Sequence, residues 1–197
     1  MVKTGEWISE AWALVREDFW LHALVALIFA AVNGTGVGVL IVGPLTCGYY
    51  YVILQKLRHP DQRLDINKLS QGFEIFLDSF MAWFLLGVFS GLGSIACLVG
   101  SLVVYALLVF AMPLIADRQM GFWDAISLSY ERAKDHWFGL SVFLLVLSLL
   151  VALGSALTCG LGYFALFPVM HVAIVLAYRD NFQAGGAETS AAGDVRW

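Results

Sequence analysis

Three long stretches without a charged residue constrain this chain most. No Asp, Glu, Lys or Arg occurs in residues 19–55, 79–116 or 136–178, which hold 37, 38 and 43 residues. One membrane-spanning helix needs about 20 apolar residues to cross about 30 Å of hydrocarbon. Each stretch is therefore too long for one span and long enough for two spans joined by a tight turn. The pattern predicts three helical hairpins, and so six transmembrane helices.

The composition agrees with a membrane protein. The chain is 60% hydrophobic and 13% charged, whereas soluble domains average about 25% charged residues. In a soluble protein, three such stretches would leave almost no polar surface. We therefore predict an all-α polytopic membrane domain over residues 1–182. A disordered cytoplasmic tail of small and polar residues is predicted over 183–197.

The basic residues predict the orientation. All eleven lysines and arginines lie outside the three stretches. With six spans, the N-terminus, the two long connections and the C-terminus share one side of the membrane, and the positive-inside rule makes that side cytoplasmic. The opposite turns, predicted near 33–38, 90–101 and 154–162, contain no formal charge, so nothing substantial protrudes there.

Amphipathic segments precede the hairpins. Apolar residues recur at helical spacing in residues 5–18 and 120–135, and more weakly in 64–76, with charged residues on much of the remaining surface. We predict interfacial helices over these ranges, lying in the cytoplasmic headgroup layer with tryptophans at the boundary. The hairpins that follow are predicted at about 19–55, 79–116 and 136–178.

Short matches indicate an internal repeat. Residues 5–7 (GEW) correspond to 121–123 (GFW), and residues 18–20 (DFW) correspond to 135–137 (DHW). The unit would be an interfacial helix plus a hairpin, used three times, with the second copy degenerate. The alternative is that membrane proteins share such features without duplication. Proline lacks a backbone N–H and disturbs a helix, so kinks are predicted in the second arms of the hairpins, at Pro44, Pro113 and Pro168.

Four segments of the chain carry a family resemblance. They are 43–58 (GPLTCGYYYVILQKLR), 72–77 (GFEIFL), 113–129 (PLIADRQMGFWDAISLS), which is the most specific, and 168–180 (PVMHVAIVLAYRD). Together they resemble a broad group of bacterial integral membrane proteins, which is similar to the membrane domain attached to some glycerophosphodiester phosphodiesterases. The resemblance implies a six-helix protein of the bacterial inner membrane, and it carries over no catalytic residue.

His171 is the leading candidate for a functional residue inside a predicted span. Ionisable residues there are costly to bury, so each is a functional candidate. In one interpretation His171 lines a polar cavity with Thr46 and Asn33, and binds a headgroup or relays a proton. In the other, it satisfies a backbone carbonyl freed by Pro168 or bonds a neighbouring helix. His22 is a weaker candidate because it lies close to the cytoplasmic boundary and can snorkel.

The sequence shows no set of residues typical of catalysis or metal binding. Cys47, Cys97 and Cys159 are far apart; Cys97 and Cys159 could pair near the outer turns, or all three could be small buried side chains. Glu74 and Asp78 are better interpreted as acids that favour a helix start than as an acid–base pair. We expect no metal, no cofactor and no enzymatic activity. Basic residues are too sparse for a nucleic-acid surface.

These observations favour a non-enzymatic accessory or scaffold subunit of a membrane complex. Its partners would be membrane lipids, other membrane protein subunits or further copies of the chain. Gly34-x-x-x-Gly38 and Gly87-x-x-x-Gly91 have the spacing that lets helices approach closely, and we expect both at helix contacts. The alternative is a small lipid or small-molecule transporter built from parallel hairpin repeats. An intramembrane enzyme is the least supported class, since no nucleophile, base and metal converge.

Overall fold

The computed structural model describes residues 3–35, 38–60, 64–96 and 98–182. No β-strand occurs among these residues, which confirms the predicted all-α class. The predicted tail at 183–197 lies outside the described residues, and so does Cys97, on which a Cys97–Cys159 pairing depends. The α-helices of the described ranges are α1 (Thr4–Glu17), α2 (Phe19–Gly34), α3 (Gly38–Arg58), α4 (Gln71–Glu74), α5 (Phe76–Ala96), α6 (Leu98–Leu108), α7 (Ala111–Arg118), α8 (Phe122–Ala133), α9 (Trp137–Leu157) and α10 (Tyr163–Phe182).

Several helices have the length and composition of membrane spans. Helix α2 has 16 residues, fewer than the about 20 that a perpendicular span needs. Helix α3 has 21 residues and carries Lys56 and Arg58 in its last turn. Even so, the apolar helices give the chain the character of a membrane protein. Within the described residues, four segments are long and apolar enough to cross a membrane: Phe76–Gly93 in α5, Gly100–Arg118 across α6 and α7, Phe122–Leu157 across α8 and α9, and Tyr163–Phe182, which is α10.

Helix α10 occupies the centre of the fold. It packs against α1, α2, α3 and α9, and every residue from His171 to Tyr178 is buried. Neighbouring helices bring bulky side chains such as Phe29 and Phe143 into the same interior. Helices α5 and α9, in contrast, expose many of their leucines and phenylalanines. The last helix of the described residues is thus the one around which the others assemble.

Two amphipathic helices, α1 and α8, precede α2 and α9. Helix α1 buries Trp7, Ala11 and Val15, which lie four residues apart on one face, and this face packs against α10. Helix α8 packs its apolar face against α6 and α7. Protein therefore covers both apolar faces, while Trp12 and Trp123 on the other sides are exposed. The buried residues of α8 are Ala125, Ile126, Ser129 and Ala133.

The segment before α5 contains only short helical turns. A 3₁₀ helix, Ile66–Ser70, is followed by the single turn α4. Asp65 caps the 3₁₀ helix, because its carboxylate accepts a hydrogen bond from the Asn67 backbone N–H at 3.1 Å. The weaker apolar pattern of residues 64–76 thus corresponds to a compact turn rather than to one continuous amphipathic helix.

Two glycines allow this turn to touch α3. A Cβ on Gly72 would lie 2.0 Å from the backbone oxygen of Pro44, and a Cβ on Gly48 would lie 2.1 Å from that of Leu69. Backbone cannot yield by that amount, so only glycine fits at both positions. The contact fixes how the segment before α5 crosses α3.

The glycine motifs predicted at helix contacts behave differently. A Cβ on Gly38 would lie 2.5 Å from the backbone oxygen of Val32, so Gly38 makes the expected close contact between the ends of α2 and α3. Among the described residues, nothing lies within 4 Å of a Cβ placed on Gly34, Gly87 or Gly91. The expectation that these three glycines make helix contacts is therefore wrong for contacts within the described residues. A small-residue spacing identifies a face on which helices can approach, but it does not determine which face of α5 turns inward.

The prolines occupy two kinds of position. Pro44 and Pro168 lie inside α3 and α10, and both helices continue through them. Pro113 is the third residue of α7, four residues after Val109, and the helix is interrupted at Val109 and Phe110. Because the ring of a proline clashes with the carbonyl four residues before it, Pro113 accounts for this break.

A serine from α8 satisfies the backbone at the break. The hydroxyl of Ser129 donates a hydrogen bond to the Leu107 carbonyl at 2.9 Å and accepts one from the Phe110 N–H at 3.2 Å. Ser129 is fully buried, where an unpaired backbone group would be costly. The interruption between α6 and α7 therefore depends on the packing of α8.

Candidate functional site: a buried histidine and tyrosine cluster

Polar side chains gather in the interior where α2, α3 and α10 meet. His22 belongs to the face of α2 that is buried together with Val25 and Phe29. Tyr49 lies on α3 and His171 lies on α10, and both are buried. The three helices pack on one another, so two imidazoles and a phenol share one apolar interior. We call these three residues the histidine–tyrosine cluster.

The shortest polar contact in the cluster joins α2 to α3. His22 Nδ1 lies 2.7 Å from the hydroxyl of Tyr49. A phenol both donates and accepts, and a neutral imidazole has one donor and one acceptor nitrogen. The pair can therefore be satisfied with either partner donating. Tyr49 is fully buried, so this hydrogen bond supplies the partner that its hydroxyl needs.

His171 is surrounded by rings and bonded to its own helix. Its Nδ1–H donates to the carbonyl oxygen of Phe167 at 3.0 Å, which leaves Nε2 as the acceptor nitrogen of a neutral ring. The His171 ring centroid lies 4.2 Å from that of Phe167 and 5.7 Å from that of Tyr49. Pro168 removes the usual donor to the carbonyl of Phe164. The carbonyl that His171 contacts is therefore not the one that Pro168 frees.

The other two predicted cavity residues are satisfied in the same way. Thr46 Oγ1 donates to the carbonyl of Val42 at 2.7 Å, and Asn33 Nδ2 donates to that of Phe29 at 2.9 Å. Like His171, each bonds the carbonyl four residues earlier in its own helix. Thr46 is buried, whereas Asn33 is exposed near the end of α2. The structure thus joins His171 to Tyr49 and Phe29, and it commits the polar groups of Thr46 and Asn33 to their own helices.

A small cavity adjoins the cluster on the charged side. It measures about 10 Å³, and its lining includes His22, Lys56 and Leu64. A space of this size is about that of one water molecule. Lys56 Nζ also lies 3.3 Å from Asp18 Oδ2. One member of the cluster, His22, therefore shares this small cavity with the charged side chain of Lys56.

Helix α10 ends in a network of charged contacts with α1. Arg179 bonds Glu10 through both nitrogens of its fork, at 2.9 and 3.2 Å. The next residue, Asp180, accepts a hydrogen bond from Trp7 Nε1 at 2.8 Å. A two-pronged bond between guanidinium and carboxylate is both strong and directional, so these contacts fix the first helix on the last.

Asp117 connects the same end of α10 to α3 and α7. One carboxylate oxygen accepts a hydrogen bond from the hydroxyl of Tyr178 at 2.7 Å, and the other pairs with Arg58. Only 8% of the Asp117 side chain is exposed. The charged ends of α3, α7 and α10 therefore lie together at one end of the fold, with the Glu10 face of α1 beside them.

Asp78 caps a helix other than its own. Its Oδ1 accepts a hydrogen bond from the backbone N–H of Phe122, the first residue of α8, at 3.0 Å. The residue before α8 is Gly121, which has no side chain to act as a cap. Glu74 instead accepts a hydrogen bond from Gln71 at 3.2 Å. The two carboxylates thus have separate partners, and Asp78 stabilises the junction of α5 with α8.

Sequence reasoning identified the two histidines but not their partners. Tyr49, Asp117 and Ser129 each act through a residue that lies 19 to 61 positions away. The only signal in the sequence was that the charges collect at the predicted helix ends. Within the described residues, no group of three or more His, Cys, Asp or Glu side chains is placed to hold a metal ion.

Comparison with models of known protein families, with characterised proteins and with solved structures finds no match to this chain.

Proposed function

We propose that this protein is a non-enzymatic scaffold or accessory subunit of a complex in the bacterial inner membrane. It has six transmembrane spans, with α2 and α3 as the first pair, and both termini face the cytoplasm. The ion pairs that join the ends of α1, α3, α7 and α10 support this topology, because they collect basic residues on one side. The bacterial assignment rests on the resemblance to bacterial membrane proteins, including the domain attached to some phosphodiesterases.

One observation carries the scaffold role. Helix α5 is the least buried of the four candidate spans, with 11% of its segment buried. Its Gly87 and Gly91 lie one turn apart on one face, and among the described residues no atom lies within 4 Å of a Cβ placed on either glycine. In lipid, such a face allows the backbone of another helix to approach closely. We infer that α5 is the contact helix for a partner subunit or a second copy.

The interior supports the same conclusion. Bulky side chains such as Phe29 and Phe167 fill the space around His171. The polar groups of Thr46 and Asn33 are bonded within their own helices. Polar groups that donate to their own helix in this way stabilise the packed interior, and these donors are not free to bind a substrate.

Association is tested with α5 variants of the full chain. Gly87→Leu and Gly91→Leu place bulk on this face, where no atom of the described residues lies within 4 Å of an added Cβ, and Val88→Leu is the control one residue away. Size-exclusion chromatography with light scattering in mild detergent, and pull-down from solubilised membranes, measure the assembly. We expect a complex with the wild type and Val88→Leu, and its loss with the glycine variants. A wild-type monomer without a partner would contradict the scaffold role.

The topology is tested separately by thiol labelling. In a background with Cys47 and Cys97 replaced by serine, an impermeant reagent should label exposed Cys159 from outside intact spheroplasts. Ser70→Cys and Ser127→Cys, each combined with Cys159→Ser, should react only after the membrane is opened. Labelling of these two positions from opposite sides would overturn the arrangement of three hairpins.

The transporter alternative makes an opposite prediction. It requires a solvated cavity around His171, with Thr46 and Asn33 in its wall. Hydroxyl-radical footprinting of the protein in lipid discs reports which side chains meet water. Strong modification around His171 would favour transport of a lipid or small molecule, and protection of His171 beside modified Asn33 would favour the packed scaffold.

A further inference from the structure

A groove of about 500 Å³ opens between α5, α6 and α8. Phe89, Leu107 and Ile126 contribute apolar surface to it, while Tyr130, Glu131 and Lys134 contribute polar surface. The volume is in the range of sites that hold small molecules, about 300–1,000 Å³. The groove therefore combines an apolar wall with one acidic side chain, Glu131, and one basic side chain, Lys134.

The position of the groove follows from the proposed membrane placement, on which this inference rests. Lys134 lies just before α9, at the start of the third charge-free stretch. Trp123 and Tyr130 of the neighbouring α8 are more than half exposed, as aromatic residues at a membrane boundary are. The charged side of the groove therefore lies at headgroup level, and its apolar wall faces the acyl chains.

We propose that this groove binds a glycerophospholipid with an ethanolamine headgroup. Lys134 contacts the phosphate and Glu131 contacts the primary ammonium. Glu131 and Lys134 are three residues apart, so they occupy one side of the helical turn, at a spacing that the two-carbon linker of phosphoethanolamine can bridge. An acyl chain lies along Phe89 and Leu107.

The charges discriminate among headgroups. Within the described residues, no ion pair of 4.0 Å or less engages Glu131 or Lys134. A purely anionic headgroup would satisfy Lys134 but meet repulsion from Glu131. A choline headgroup carries the positive charge but no N–H with which to donate to the carboxylate. The primary ammonium of ethanolamine supplies both the charge and the donors.

The groove and the proposed contact face of α5 are separate. Phe89 lies two residues from both Gly87 and Gly91, about 160° around the helix. A lipid in the groove therefore does not compete with a partner on the glycine face. Loss of lipid binding and loss of assembly are accordingly independent results.

The test uses the full chain in lipid discs that contain equal amounts of ethanolamine, choline and glycerol phospholipids. The protein is extracted in mild detergent, and the lipids that remain bound are quantified by mass spectrometry. We expect ethanolamine lipid to be enriched on the wild type over its share in the disc. Glu131→Gln should reduce that enrichment about two- to fivefold, the effect of one partly exposed ion pair, and Glu131→Asp should preserve it.

A second variant blocks the groove itself. Ser127 is exposed and lines the groove, so Ser127→Trp should displace the lipid without disturbing the core, and Ala13→Trp on exposed α1 surface is the control. Circular dichroism verifies that each variant is folded. Enrichment of choline or glycerol lipid over ethanolamine lipid on the wild type, or unchanged retention in Ser127→Trp, would refute the proposal. Either result leaves the assembly measurement of the α5 variants unaffected.

Discussion

Helices α10 and α5 invert the usual relation between hydropathy and burial. The α10 span is 61% buried and has a mean hydropathy of 1.2, whereas the α5 span is 11% buried and has a mean hydropathy of 1.5. The more polar helix is thus the more deeply buried one. A helix that faces lipid must be apolar throughout, but a helix enclosed by protein can carry polar groups whose partners are supplied by its neighbours.

The partners of α10 make this difference concrete. Tyr178, Arg179 and Asp180 follow one another in the chain, and each bonds a side chain from another helix. In α5, in contrast, Leu77 and Leu92 project outward with more than half of their surface exposed. The charged network therefore determines which helix is central, and the apolar surface determines which helix is peripheral.

The sharpest test of this comparison removes one leucine from each helix. Leu176 of α10 is fully buried and Leu92 of α5 is 58% exposed. Leu176→Ala leaves a cavity and should lower the free energy of unfolding by about 2 kcal/mol or more, whereas Leu92→Ala should change it by less than about 0.5 kcal/mol. SDS titration in mixed micelles, followed by circular dichroism, measures both. Equal losses would show that α5 is buried to the same extent as α10.

Removal of Asp117 tests the charged end of α10. Asp117→Ala deprives both Tyr178 and Arg58 of their acceptor, and we expect a loss of about 2–4 kcal/mol in the same titration. Asp124→Ala, at an exposed position of α8, is the matched control and should have little effect. If both variants unfold at the wild-type SDS fraction, the network does not anchor α10.

Ser129→Ala examines the break between α6 and α7. The substitution leaves the Leu107 carbonyl and the Phe110 N–H without their partner, at a cost of about 1–3 kcal/mol for buried polar groups. Exposed Ser127→Ala on the same helix should stay within about 0.5 kcal/mol of wild type. An unchanged stability of Ser129→Ala would mean that other groups satisfy the break.

We expect the smallest change in stability from loss of the hydrogen bond by which Asp78 of α5 caps α8. Asp78→Ala removes the acceptor for the Phe122 N–H and should destabilise the fold by about 0.5–2 kcal/mol. Asp78→Asn keeps an oxygen acceptor and should retain most of the stability, so the pair separates the hydrogen bond from the charge. Losses of equal size in Asp78→Ala and Asp78→Asn would assign the effect to charge alone.

The sequence predicted the features that depend on local pattern. The charge-free stretches follow from the low solubility of ions in hydrocarbon, and they indicated apolar helices. Pro113 was expected to disturb a helix, and the interruption at Val109 and Phe110 follows from its ring. His171 was expected to line a cavity, to satisfy the carbonyl that Pro168 frees or to bond a neighbouring helix, and it instead bonds the carbonyl of Phe167 in its own helix.

What the sequence did not reveal depends on which helices become neighbours. The helix cap from Asp78 to Phe122 joins residues 44 positions apart, and no local pattern encodes such a pairing. Close glycine contacts occur at Gly48 and Gly72, among others, but not at Gly87 or Gly91 among the described residues. Steric fit at a crossing depends on the path of both backbones, which a one-dimensional pattern does not contain.

The bond between Glu10 and Arg179 has a consequence for biosynthesis. The two residues are separated by 169 positions, so at about 5–20 residues per second a ribosome needs on the order of 10–30 s to supply the second after the first. During that interval the newly inserted N-terminal segment has no docking site. The packing of α1 is thus completed only after α10 has been synthesised, and a nascent chain stalled before α10 would present an unassembled bundle to quality-control proteases.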